Sequence, residues 1–347
     1  MTEDLKRDAV FEPLAHLHDA LSAALRAFLN GEDLSRPAKL LYPLHLQHSA
    51  YRGALVNAVV EAARSLAALL GQDSPSRLPL RHQWSRASAL LDGVAGFRAA
   101  PTNQAVADLF SAAYRLLGLL DFEQFTRPRA VQPLKQFDPA DYQQDERARA
   151  AARSILAINR RLRPYLEAWY VHGSLSTMDY TSFSDLDTLL IVKREVVEDA
   201  QALLACRRAV IRSLCDVFAF DPLQHHGHSL ASVTDLCFYP QSLLPPAVLA
   251  MSTAVGGDTG PLLLAIRKEA TRPGQELAQS LHLLRQSIVP RPHWRGLYRL
   301  KEWIAYLLMI PCRLLQHQAS VFVYKRDSFA LARHHLPALD WAPVDIA

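Results

Sequence analysis

The segment 168–193, AWYVHGSLSTMDYTSFSDLDTLLIVK, limits the fold of this chain more than any other stretch. Ala168 to His172 is rich in aromatic and branched residues, as strands are. Leu186 to Val192 is a near-continuous apolar run, which fits a strand buried on both faces. Between them lie His172-Gly173-Ser174, ten further residues, and Asp185-Leu186-Asp187 at the opening of the second strand. Val196, Val197, Ala200, Leu203, Leu204, Val210, Ile211 and Leu214 then recur at helical spacing, predicting an amphipathic helix over about 195–213. Strand-like pieces follow at Asp216 to Phe220 and Val233 to Tyr239. The order strand, loop, strand, helix, strand, strand describes a small α/β sheet unit.

The flanks read differently. Residues 1–125 are helical in pattern, with helices expected at Glu3–Leu29, stopped by Asn30-Gly31, at Leu44–Leu70, at Arg81–Phe97 and at Asn103–Leu120. Four helices with short loops suggest an antiparallel bundle, and no chemistry-bearing motif lies there. Residues 126–145 hold three prolines and mixed charge and are the best linker candidate. A basic helix beginning near Glu146 leads into the sheet unit, which spans 146–245. Beyond Pro245-Pro246 the pattern turns helical, so 246–347 is expected to be a C-terminal helical domain. The expected fold class is therefore α/β, a mixed-sheet core flanked by all-helical domains.

Composition excludes several classes. A chain of 347 residues that is half apolar and a fifth charged is neither disordered nor fibrous. Four scattered cysteines without a CxxC pair argue against a disulfide framework or a zinc knuckle. The polar N-terminus lacks a signal-peptide pattern, and the apolar stretch Ile304 to Cys312 is too short to span a bilayer, so a cytoplasmic protein without a membrane partner is expected. Residues 261–335 carry twelve Lys/Arg against four Asp/Glu, a local excess that suits phosphates, although a solvated helical surface has the same composition.

The central motif carries specific chemistry. Glycine at 173 lets backbone N–H groups approach a phosphate without a side chain in the way, and Ser174 adds a hydroxyl donor. A helix starting after them would add a favourable field for an anion. Asp185 and Asp187 are one residue apart, which on a strand places both carboxylates on one face while Leu186 points into the core. Two hard oxygen ligands facing a phosphate cradle are what a Mg²⁺–triphosphate needs, and Mn²⁺ would serve equally.

Gly-Ser after a strand, this spacer, then Asp-x-Asp on the next strand resembles the DNA polymerase beta-like nucleotidyltransferase superfamily, over roughly the central hundred residues. The resemblance implies that Gly173 and Ser174 hold the triphosphate of an NTP and that Asp185 and Asp187 bind the metals. It also implies a third carboxylate on a later, neighbouring strand, acting as metal ligand and base. Asp221, which closes the run CDVFAF, is favoured, with Asp216 and Asp235 left as alternatives and an Asp221-Pro222 turn as the plain reading. Superfamily members often close a C-terminal helical domain over the triphosphate through a lysine and a serine. Lys325 and Ser328 match that pairing, with Arg326 as a substitute, and Asp327 or Ser328 could at the same time cap a helix.

Other features stay open. His225, His226 and His228 invite a metal or general-base reading, but a zinc site would want four ligands and no cysteine or acidic partner is spaced for it. The hydroxyl-rich loop 176–184 could touch phosphate or be plainly solvated. The expected activity is transfer of an NMP from an NTP to an acceptor hydroxyl by two-metal catalysis. A small-molecule acceptor is favoured, and nucleic acid is unsupported by any stacking or RNA-binding pattern. The alternatives are a catalytically silent nucleotide-binding module and a zinc hydrolase built on the three histidines.

Overall fold

The computed structural model describes residues 3–31, 102–257 except 119, 121, 225 and 242, then 260–268, parts of 277–285, and 297–340 except 320 and 322. The helices expected at 44–70 and 81–97 lie outside the described residues. The chain is a mixed α/β protein, and no helix among the described residues is long and apolar enough to cross a membrane.

Its centre is a five-stranded mixed sheet of order β2-β6-β3-β4-β5, formed by Lys135–Gln136 (β2), Thr253–Gly257 (β6), Leu166–His172 (β3), Asp187–Val192 (β4) and Ser229–Ser232 (β5). The pairs β6–β3 and β3–β4 are antiparallel, while β2–β6 and β4–β5 are parallel. The apolar runs of β3 and β4 are explained by burial on both faces. Trp169, Val171, Leu190 and Val192 enter one core with the helices, and Ala168, Tyr170, Leu189 and Ile191 enter a second. The second core is closed by Thr126–Val131 (β1) and Leu262–Arg267 (β7), a two-stranded antiparallel ribbon.

The helical layer comprises Glu3–Leu29 (α1), Asn103–Leu117 (α2), Glu146–Leu162 (α3) and Ala200–Phe220 (α4). Asp145 and Asp199 start α3 and α4 by accepting from the N–H groups of Ala148 and Ala202, each at 2.7 Å. Helices α1 and α2, assigned above to an N-terminal bundle, share one core with the sheet and α4. The long helix Leu297–Ala319 (α5) packs with Lys325–His335 (α6).

Four expectations need correction. Asp216 to Phe220 is not a strand but the last turns of α4, because Val210, Ser213, Val217 and Phe220 continue its buried stripe at spacings of three and four. Val233 to Tyr239 begins with a helical turn, Val233–Leu236, capped by Ser232, and the strand precedes it as β5. The stretch beyond Pro245-Pro246 is not helical throughout, since it supplies β6 and β7, and the supposed linker 126–145 supplies β1 and β2. These strands gain their place by pairing with partners far along the chain.

Candidate functional site

The turn after β3 is built for glycine. Gly173 has φ 71° and ψ −160°, a region open essentially to glycine, and a Cβ there would collide with the Asp187 carboxylate. One helical turn follows, Ser174–Thr177, too short to supply the helix field envisaged from sequence. It is anchored from beneath: the Ser176 hydroxyl lies 2.8 Å from the Met251 carbonyl and from the Thr253 hydroxyl, and Tyr142 donates to the Leu175 carbonyl at 3.2 Å. Ser174 itself is half-buried at the mouth of this turn.

Asp187 opens β4 in register with His172 on β3, and Asp185 stands two residues before it. The third member of the group is His226, in the approach to β5. Its Nε2 lies 2.9 Å from Asp187 Oδ1 and 3.6 Å from Asp185 Oδ2. The ligand atoms of Asp185, Asp187 and His226 all fall within 4.8 Å of one another, so these three could hold a metal ion. Supporting contacts orient the ring. His226 Nδ1 is 2.9 Å from the Gly227 carbonyl, which accepts its proton and leaves Nε2 facing the carboxylates. Gln224 accepts from Leu186 N–H at 3.1 Å and lies 3.2 Å from His226 Nδ1, bracing the loop against the Asp-x-Asp segment.

The charges reflect this arrangement. Burial opposes the imidazolium of His226, but the hydrogen bonds and charges of Asp185 and Asp187 win and push it up to about 10. Burial likewise opposes ionisation of Asp187, yet His226 holds its carboxyl below the ordinary value. His172 is pushed the other way by burial, only partly offset by Asp187, and stays neutral.

Asp221 also arrives here, from the C-terminal end of α4 rather than from a strand. Its carboxylate and that of Asp185 grip the ammonium of Lys301 from α5, whose side chain is 10 % exposed. Burial and the neighbouring Asp185 raise the Asp221 carboxyl, with Lys301 opposing. Its Oδ1 accepts from Leu223 N–H at 3.1 Å, so the Asp-Pro turn and a site role coexist.

The other carboxylates are elsewhere. Asp216 pairs with Arg161 at 3.3 Å on the outer side of α4. Asp235 is buried 2.9 Å from His18 and 2.6 Å from the Ser22 hydroxyl, in a network that docks α1. His228 is buried between the hydroxyls of Thr188 and Ser213, at 2.7 and 2.9 Å, and burial pushes it down to about 3. It is a packed core histidine, and His225 lies outside the described residues.

The α6 terminus approaches the Gly-Ser turn through residues other than the serine expected. Tyr324 lies 3.4 Å from the Thr177 hydroxyl, and Arg326 lies 3.5 Å from Asp179. Lys325 is exposed in the first turn, whereas Ser328 is buried and donates to the Lys325 carbonyl at 2.6 Å. Sequence reasoning missed His226 as partner of the two aspartates, and missed Lys301 altogether. No family model, curated protein or solved structure matches the chain.

Proposed function

We propose that the protein is a nucleotidyltransferase that moves an NMP from an NTP to an acceptor hydroxyl, most simply that of a small molecule. The observation that carries this reading is the seating of the Gly173 turn directly against Asp187, within a group of Asp185, Asp187 and His226 fit to hold a divalent cation. Phosphate cradle and metal ligands are thereby one construction. The donor set of two carboxylate oxygens and one imidazole suits Mg²⁺ or Mn²⁺, with Mn²⁺ the better match to the nitrogen. When bound, the cation would neutralise triphosphate charge and polarise the phosphoryl group.

The chain's own groups do the rest. Gly173 and Ser174 orient the β- and γ-phosphates, and Lys325 supplies a counter-charge from the α6 side. The acceptor oxygen attacks the α-phosphorus, the bond to the bridging oxygen breaks, and pyrophosphate leaves. The acceptor proton passes to Asp221, whose raised carboxyl makes it a better base than an ordinary aspartate. Positioning and charge stabilisation provide most of the acceleration.

The test is pyrophosphate release from each labelled NTP with Mg²⁺ or Mn²⁺ and a mixed acceptor pool. Release should disappear in the Asp185→Asn, Asp187→Asn double variant. Tight NTP binding without release across a broad acceptor set would instead identify a silent nucleotide-binding module.

A further inference from the structure

Two cation positions are visible around Asp185, and they differ in kind. The first is framed by Asp185, Asp187 and His226, whose Nε2 lies 2.9 Å from Asp187 Oδ1. The second is framed by Asp185 and Asp221 and already holds a cation, the Lys301 ammonium, in contact with both carboxylates. Lys301 is not a wandering surface lysine. Nine-tenths of its side chain is buried, and it projects from α5, a helix of 23 residues that packs along α6. The pairing also crosses the molecule, joining the turn before β4, the end of α4 and the C-terminal helices.

An ammonium and a divalent cation cannot share this position. Like charges a few ångströms apart, away from bulk water, repel by several kcal/mol at an effective dielectric of about 20. Occupancy of the second position is therefore exclusive, and a tethered ammonium holds it without being recruited from solution.

We infer that this is a one-metal site in which Lys301 is the built-in second cation. The inference rests on the nucleotidyltransferase reading above and adds to it how charge on the acceptor side is neutralised. Lys301 forms no covalent bond. Its task is to hold negative charge beside Asp185 and Asp221 while the single metal ion, at the Asp185–Asp187–His226 position, attends the triphosphate.

Counting Mn²⁺ bound per chain by electron paramagnetic resonance, at saturating α,β-methylene-ATP, tests this without turnover. The wild-type protein should bind one Mn²⁺ per chain. Lys301→Met, which keeps the length and apolar stem but removes the charge, should bind two and show the spin coupling of a close pair. Asp221→Asn, which weakens only the second position, should leave the count at one. Two Mn²⁺ in the wild-type protein would overturn the inference and leave the metal–triphosphate reading standing. One in both wild type and Lys301→Met would also overturn it, because the second position would then be no metal site for Lys301 to fill. No bound Mn²⁺ in any form would overturn both. Circular dichroism establishes that each variant is folded, and the wild-type count decides the question if Lys301→Met is not.

Discussion

At the scale of single residues, the site depends on two that have no substitute. Gly173 combines a positive φ with an Asp187 carboxylate where a Cβ would be. Gly173→Ala should therefore cost about 1–3 kcal/mol of backbone strain and push Asp187 off its position. Mn²⁺ affinity should fall about tenfold or more, as when metal-site support is lost; calorimetric titration alongside a thermal melt measures both. His226 is the second. In the metal-free protein it is an imidazolium, pushed up to about 10 by its aspartates. Because its folded value is raised, the stability it contributes is fully present below about pH 6.5, the ordinary histidine value, and is lost as pH rises through 10. Metal binding must displace that proton, so Mn²⁺ uptake at pH 7.5 should release about one proton per ion. Titrations in buffers of differing ionisation enthalpy would show it, and an enthalpy independent of buffer would contradict it. Gly173, Ser174, Asp185 and Asp187 were legible because their spacing within two adjacent strands fixes their meeting. His226 was not, because it lies in the turning backbone before β5, which begins only at Ser229, where no regular period says which way a side chain points. Lys301 left no local signal, since its partners lie far earlier in the chain.

At the scale of elements, α1 is held by polar as well as apolar contacts. His18 and Ser22, one helical turn apart on the face bearing Leu14, Leu17, Leu21 and Leu25, reach Asp235 in the turn after β5. Burial works against the Asp235 carboxylate, but His18, Ser22 and the Ser232 N–H hold it well below the carboxylate range. Asp235→Asn should cost about 3–5 kcal/mol, the penalty for stranding a buried partner. A depressed carboxyl stabilises the fold above its unfolded value, roughly pH 4, and loses that contribution as pH falls below it. Chemical denaturation of wild type and variant at pH 7 and pH 3 would show the gap narrowing at the lower pH; an unchanged gap would contradict the assignment. The two polar positions in the α1 stripe were visible in the sequence, but their partner was not. The misread end of α4 has a similar cause: CDVFAF is short and apolar enough to suit either period, and the helix wins because its buried stripe continues to Phe220.

At the scale of the whole molecule, the sheet was only partly legible. The antiparallel β3–β4 pair follows from two apolar runs joined by one loop. The β2, β6, β1 and β7 strands do not announce themselves, because β2 is short, β1 contains a proline, and each gains its place by pairing across more than a hundred residues, as Thr126 does with Arg267. Those pairings carry the core past Pro245-Pro246 and bring Met251 and Thr253 beneath the Gly-Ser turn, where they anchor Ser176. The C-terminal helices complete the arrangement from the other side, with Lys301 against Asp185 and Tyr324 beside Thr177. All of these elements converge on one proposed metal–triphosphate position. A crystal structure with Mn²⁺ and α,β-methylene-ATP, using anomalous scattering to place the metal, tests it most directly. Mn²⁺ should be ligated by Asp185, Asp187 and His226 with the triphosphate against Gly173 and Ser174; a nucleotide bound elsewhere, or a metal without those three ligands, would overturn the assignment.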